Sequence, residues 1–349
     1  MKLEDTFLYQ EIHQQPEAIA NLLNTEASAI EKIGAAIRAY GSKNILIAAR
    51  GTSDNAGRYA QYLLGASNQF LVSLATPSLF SIYQKPPVLK NVIVIGISQS
   101  GKSPDIVSVV QEARNQGALT IAITNQPGSD LERAAEYSIN LHAGLERSVA
   151  ATKTYTTELT AIAMLSAAIA QNQAAMVELN QLPGLIQNLI NDVSSLAIST
   201  QRYRYMQHCL VIGRGFHYAS AYECSLKLKE LTYTKAEPYS SADFLHGPFA
   251  LLEPGYPVIV FSATGAMLTE MRDFTLKVQQ RGAELIIISN DDQMLGMAEL
   301  AIGLPKDLPE WITPILAIIP MQLFAMYLAH ARKIDIDAPR GIKKVTETY

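Results

Sequence analysis

Cysteine is nearly absent: Cys209 and Cys224 are the only two in 349 residues, and neither belongs to a CxxC pair. That excludes a disulfide-stapled scaffold, and a reducing cytoplasm is the compartment expected for two buried thiols. There is no excess of positive charge either. Lys and Arg number 28 against 32 Asp and Glu, a net charge of −4, so the chain offers no basic field for a nucleic-acid backbone or an anionic membrane. Charged residues make up only 17% of the chain and hydrophobic ones 48%, which excludes global disorder and points to a well-packed enzyme or small-molecule-binding protein. The opening MKLEDTFLYQEIHQQPEAIANLL has no apolar run of signal-peptide length and reads as an amphipathic surface helix, so export is not expected. One long apolar run exists, Ile312 to Ala329, but Thr313, Pro314, Pro320 and Gln322 interrupt it. It is expected to be a buried core or interface helix, and no membrane partner is expected.

What the chain does contain is a repeated α/β pattern. NILIAA (44–49), FLVSLA (70–75), NVIVIGIS (91–98) and ALTIAITN (118–125) are unbroken apolar runs of strand length, separated by helical periodicity. Unbroken rather than alternating runs mean burial on both faces, as in a parallel sheet covered by crossover helices. NVIVIGISQSGKSPDIVSVVQEARNQGALTIAITN also runs in parallel with YPVIVFSATGAMLTEMRDFTLKVQQRGAELIIISN, Gly117 facing Gly282 and Asn125 facing Asn290. Upstream, IAARGTSDNAG around Arg50 answers LVIGRGFHYAS around Arg214 in nearly the same register. Two copies of one domain are expected: an N-terminal helical arm over 1–30, a first domain over 31–190 and a second over 191–349. The helix-rich stretch from about Thr156 to Thr200 reads as the connection between them.

Function is sought where the copies differ. In the first, strand NVIVIGIS runs into Gln99-Ser100-Gly101-Lys102-Ser103, and Ser103-Pro104 marks a helix start. Helix-end N–H groups, the hydroxyls of Ser98, Ser100 and Ser103, and a glycine that lets the backbone approach closely make an anion cradle without arginine. Gly51-Thr52-Ser53 brings similar groups to the end of the first strand, and the two turns are expected to converge on one crevice. The second copy reads Ser262-Ala263-Thr264-Gly265-Ala266-Met267 instead and is expected not to bind phosphate. It carries titratable groups: Lys227 and Glu230 at i and i+3 on one helix face, then Glu237, Asp243 and His246. His13, His142, His208, His217 and His330 are expected to be structural. No His, Cys or acidic cluster has metal-ligand spacing, and neither a metal nor a cofactor is expected.

ISQSGKSPD, GLERSVAATKTYTTELT, LKLKELTYTKAEPYSSADFLHGP and DAPRGIKKVT, in that order on a duplicated pattern, resemble the tandem sugar isomerase (SIS) family, in particular the isomerase half of glucosamine-6-phosphate synthases and stand-alone deaminases. The resemblance covers nearly the whole chain and implies an α/β fold of two tandem SIS domains, each a parallel sheet flanked by helices. It also implies a hexose 6-phosphate site in which Ser53, Ser98, Gln99, Ser100 and Ser103 contact phosphate and sugar and Val149 and Ala151 line the sugar. Glu230 matches the proton shuttle between C1 and C2, and Lys227 the lysine beside it. His246 matches a ring-opening histidine supplied by a neighbouring subunit, which implies a homodimer with shared sites. Lys344 matches a near-terminal lysine that engages the sugar carbonyl, with Lys343 the weaker candidate. Ser103 stands where synthases often have threonine, and Ala151 where many have serine.

The expected activity is conversion of glucosamine 6-phosphate to fructose 6-phosphate and ammonia. The alternatives are a fructosamine-6-phosphate deglycase, which retention of LHGP disfavours, and a non-catalytic sugar-phosphate sensor, which would normally bring a basic helix-turn-helix or lose the catalytic set. Glutamine-using synthases carry an N-terminal glutaminase domain with a cysteine nucleophile. This chain opens Met1-Lys2 and has no cysteine before Cys209, so free ammonia is the nitrogen expected.

Overall fold

The computed structural model describes residues 2–344. Met1 and residues 345–349, which hold the last two positions of the DAPRGIKKVT motif and the end of the expected second domain, lie outside the described residues. The chain folds as two compact units, and its ends are exchanged between them. The first unit comprises Gln14–Arg147, Ala151–Pro183 and residues 343–344; the second comprises residues 2–13, Ser148–Ala150 and Gly184–Ile342.

In the first unit, β1 (Asn44–Ala48), β2 (Leu71–Leu74), β3 (Ile93–Ile97), β4 (Leu119–Thr124) and β5 (Tyr137–Asn140) form an all-parallel sheet in the order β2-β1-β3-β4-β5. β3 and β4 are buried along their whole length, as their unbroken apolar runs require. β2 differs from expectation: it is an edge strand and alternates between exposed and half-buried, because its outer side has no neighbour to cover it. Strand order reverses direction between β1 and β3, and an open parallel sheet binds ligands at the carboxyl ends flanking such a point.

Of the helices, α1 (Phe7–His13) belongs to the second unit and α2 (Gln15–Tyr40) to the first, with α3 (Gly51–Asn68), α4 (Pro104–Asn115) and α5 (Lys153–Ala170). α5 is buried from Lys153 to Ile169 and packs on α2 and α3. A Cβ on Gly34 of α2 would lie 3.0 Å from the Ala168 backbone, so this close crossing depends on glycine. The threonines of α5 are buried without penalty because Thr157 and Thr160 donate their hydroxyls to the carbonyls of Lys153 and Thr156, at 2.9 and 2.8 Å. The stretch from Thr156 was expected to connect the copies. Its first part is instead the central helix of the first unit, and the correction follows from burial: polar threonines masked a core helix.

The second unit repeats the plan. β6 (His208–Ile212), β7 (Lys235–Tyr239), β8 (Pro257–Phe261), β9 (Glu284–Ser289) and β10 (Leu300–Gly303) form a parallel sheet in the order β10-β9-β8-β6-β7. Its helices include α6 (Tyr218–Thr232), α7 (Ser241–Leu245), α8 (Leu268–Gln280) and α9 (Thr313–Ala331). α9 is long and apolar enough to cross a membrane, but 83% of its most apolar window is buried inside the protein, and it packs on α6. It is a core helix.

Candidate active site

β3 ends in a turn whose geometry is set by Gly101. This glycine has φ +60°, and a Cβ there would fall 2.2 Å from Ser129 Oγ, so no other residue fits. Gly101 N–H donates to Ser98 Oγ at 3.2 Å, and Lys102 N–H to Ser100 Oγ at 3.3 Å. Ser103 is the N-cap of α4, yet its side chain caps no N–H of its own helix. Its hydroxyl is therefore left over beside half-buried Gln99 and Ser100, while Pro104 has no N–H and the Ile106 N–H donates to Asp105 Oδ1 at 2.9 Å. An arginine does stand at this crevice: Arg50, which precedes α3 at the end of β1, pairs through Nε with buried Asp105 in the first turn of α4 at 2.8 Å. The sequence reading had the cradle without one. That ion pair links the residue before Gly51 to the first turn of α4. Ser53 is turned inward and its hydroxyl donates to Glu158 of α5 at 2.7 Å, in the core.

The counterpart turn of the second unit is answered by the chain itself. Ala266 N–H donates to Glu310 Oε2 at 2.8 Å, and a Cβ on Gly265 would collide with the same carboxylate. An internal carboxylate thus occupies this turn of the second unit.

On α6, Lys227 is 1% exposed, and its ammonium lies 2.6 Å from Glu230 Oε2 and 3.4 Å from Glu223 Oε1. A surface ion pair would be solvated and weak; this one is sealed. The sequence reading missed Glu223, although its i−4 spacing from Lys227 puts it on the same face. Glu230, with its side chain 22% exposed, is the member open to solvent, and its buried Oε2 accepts no hydrogen bond from the described residues beyond the Lys227 charge.

Lys344 belongs to the first unit, where its ammonium meets Glu146 Oε2 at 2.5 Å. Glu146 is buried in the GLERS motif and also accepts N–H groups from Thr152 and Thr154 and the Thr154 hydroxyl, at 2.9, 3.1 and 2.7 Å. Burial alone would push its carboxyl up, but Lys344 and these donors outweigh that and hold it below the ordinary carboxylate range. Lys343 is exposed. Val149 and Ala151 flank buried Ala150, both half-buried; Val149 falls in the second unit, where the preceding Ser148 donates its N–H and hydroxyl to Glu11 of α1. His246 follows α7 at its C-terminal end and is exposed between Leu245 and Leu251, themselves 41% and 47% exposed. The remaining histidines have structural partners where the structure shows them: His13 stacks on Tyr9, His142 meets Glu26 and His208 packs on Tyr256.

Two like-ordered parallel sheets, with a hydroxyl-lined turn in one repeat and a largely buried Glu–Lys–Glu cluster in the other, make a duplicated α/β protein of the sugar isomerase type. The SIS domain matches residues 40–168 and 204–332, and the chain belongs to that family. It is 33% identical over 341 residues to the glutamine–fructose-6-phosphate aminotransferase (isomerizing) of Aquifex aeolicus, covering 97% of this chain and 57% of that one. The chain thus spans a little over half the length of the curated relatives it matches. Among solved structures it resembles the C-terminal domain of glucosamine-fructose-6-phosphate aminotransferase from Francisella tularensis, with TM-score 0.84 and 26% identity over 96% of this chain and 98% of that one. The glucosamine-6-phosphate deaminase of Thermotoga maritima shares the fold, with TM-score 0.80 over 98% of this chain and all of that one, at 18% identity.

Proposed function

We propose that the chain converts glucosamine 6-phosphate and water to fructose 6-phosphate and ammonia. The observation that carries this reading is the Glu223–Lys227–Glu230 cluster: a carboxylate partly open to solvent, held against a buried ammonium, is equipped to move a proton between neighbouring carbons. In this reading the turn 98–103 holds the phosphate, which does not react and serves to orient the sugar. His246 moves the proton that opens the hemiacetal ring to the aldehyde. Glu230 takes the C2 proton, giving an enolamine, and returns it to C1. The resulting C2 imine is hydrolysed by water, which releases ammonia and leaves the ketose. Lys227 stabilises charge developing on oxygen at C1, and Lys344 engages the carbonyl.

The exposure of His246 and its flanking leucines supports its delivery to the site of a second copy, and hence a homodimer with shared sites. The two buried, unpaired thiols support a reducing cytoplasmic setting. Turnover of a small panel of amino-sugar 6-phosphates, with ammonia assayed, tests the proposal. Amine release from a fructosamine 6-phosphate with no ammonia from any aldosamine phosphate would give the chain to the deglycase class; no turnover of either would favour a sensor.

A further inference from the structure

The two repeats share an ion pair that they use differently. Arg50 and Arg214 hold equivalent positions after the first strand of each sheet, and Asp105 and Glu270 equivalent positions in the first turn of α4 and of α8. Both pairs form: Arg50 Nε meets Asp105 Oδ2 at 2.8 Å, and Arg214 Nη1 meets Glu270 Oε1 at 2.9 Å. The donor differs. Arg214 spends an Nη group on its partner, a partly exposed carboxylate that also accepts the Ser241 hydroxyl at 2.9 Å. Arg50 spends only Nε, on a fully buried carboxylate whose other oxygen takes the Ile106 N–H. Its Nη1 and Nη2 have no hydrogen-bond partner among the described residues, and its side chain is 49% exposed. Asp54, near enough to feel the Arg50 charge, is held by Arg58 at 3.2 Å instead. The guanidinium is thus fixed at one corner by a buried anion, and its Nη edge, which matches two oxygens of a phosphate, is unspent.

We infer that Arg50 binds the substrate's 6-phosphate through its two Nη groups, supplying the fixed cation that the turn 98–103 lacks. This rests on the proposed function, in which that turn holds the phosphate. Much of the backbone there is already used: the Gly101 and Lys102 N–H groups go to Ser98 and Ser100 Oγ, Pro104 has no N–H, and the Ile106 N–H goes to Asp105. Hydroxyls alone leave most of a phosphate's charge unanswered, and the Asp105 carboxylate adds repulsion. Lys102 is exposed and forms no ion pair among the described residues, so nothing aims it. Arg50 meets both needs. Its Nε offsets Asp105, which lies two residues after Ser103, so the anchored guanidinium stands beside the turn with its Nη pair available. In the second repeat an Nη of Arg214 is taken and the Glu310 carboxylate occupies the turn, so the equivalent arginine is not expected to bind phosphate.

The test uses the full chain with three substitutions. Arg50→Gln removes the charge. Arg50→Lys loses the fork but keeps a countercharge for Asp105, should Arg50→Gln fail to fold. Arg214→Gln breaks the matching ion pair of the other repeat. Glucosamine 6-phosphate and inorganic phosphate are each titrated by calorimetry, and urea midpoints report stability. Kd for both ligands is expected to rise about tenfold or more in Arg50→Gln and by a smaller factor in Arg50→Lys. Arg214→Gln is expected to bind both within about twofold of wild type, even where its urea midpoint falls as far as that of Arg50→Gln. In turnover the Arg50 loss is expected in KM rather than kcat. Unchanged Kd in the Arg50 variants overturns the inference, and so does an equal rise in Arg214→Gln, which would make the ion pair structural alone. Wild type that binds the sugar phosphate but releases no ammonia overturns the proposed reaction, and the Kd ratios then decide the role of Arg50 on their own. Wild type that binds neither ligand overturns the phosphate site and the role of Arg50 together.

Discussion

Ser53 and His217 hold the same position in the two repeats, and each reaches the long buried helix of its own unit: Ser53 donates to Glu158 of α5, while His217 Nε2 lies 2.9 Å from Thr313 Oγ1 of α9. The Thr313 hydroxyl donates to the Glu310 carbonyl at 2.7 Å, so His217 Nε2 is the donor to it, and Nδ1 is left to accept from Ser220 at 3.2 Å. The imidazole is thus fully used in its neutral form, and burial pushes its pKa down to about 3.

Stability should therefore depend on pH through His217. Between about pH 6.5 and pH 3 the unfolded chain binds a proton there that the folded chain does not, so stability is lost as pH falls through that window, at up to about 1.4 kcal/mol per pH unit. His217→Gln should be less stable at pH 7 yet flatter in its response. Urea midpoints at pH 7 and pH 5 measure this; parallel losses in both proteins would remove His217 as the source.

The duplication is legible in the sequence because strands buried on both faces are written as unbroken apolar runs, and β3, β4, β8 and β9 are of that kind. β5 and β7 are not, since YSIN and KAEPY mix polar residues into edge positions. Of the candidate site, the turn 98–103 and the Lys227–Glu230 pair are legible because their parts are local. The Glu146–Lys344 pair spans 198 positions and the Arg50–Asp105 pair 55, and no periodicity encodes contacts at such separations.

Glu230→Gln should bind glucosamine 6-phosphate within a few-fold of wild type and lose turnover by about 10²–10⁴-fold, because it keeps the shape and removes the proton acceptor. Calorimetric titration and an ammonia assay read the two quantities apart. Normal turnover would displace the base from Glu230.

Ser100→Ala combined with Ser103→Ala should act the other way. Each hydroxyl on a phosphate oxygen contributes about 1.5–3 kcal/mol, so with both removed KM should rise by at least about a hundredfold while kcat changes little. An unaltered KM would place the phosphate elsewhere.

His246 is exposed, and in the proposed dimer it serves the neighbouring copy. Glu230→Gln and His246→Ala chains, each inactive alone, should regain activity when mixed and allowed to exchange, because a hybrid dimer contains one site with both residues intact. Absence of recovery after exchange has been confirmed by mass spectrometry would mean that each site uses its own histidine.

The nitrogen source follows from thiol chemistry. Hydrolysis of glutamine by a cysteine enzyme needs an accessible thiolate. Cys209 and Cys224 are both buried, and desolvation raises both thiols, Cys209 to about 12. Neither is a nucleophile at neutral pH. The purified chain should release ammonia and fructose 6-phosphate from glucosamine 6-phosphate and, run in reverse, should form the amino sugar from fructose 6-phosphate with ammonium but not with glutamine. Because the reverse direction then depends on free ammonia, mass action favours breakdown wherever ammonia is scarce. Supplying ammonium or glutamine as the sole nitrogen donor and detecting glucosamine 6-phosphate by mass spectrometry separates the cases: synthesis from glutamine would show an amide-hydrolysing centre in this chain that its two cysteines cannot supply.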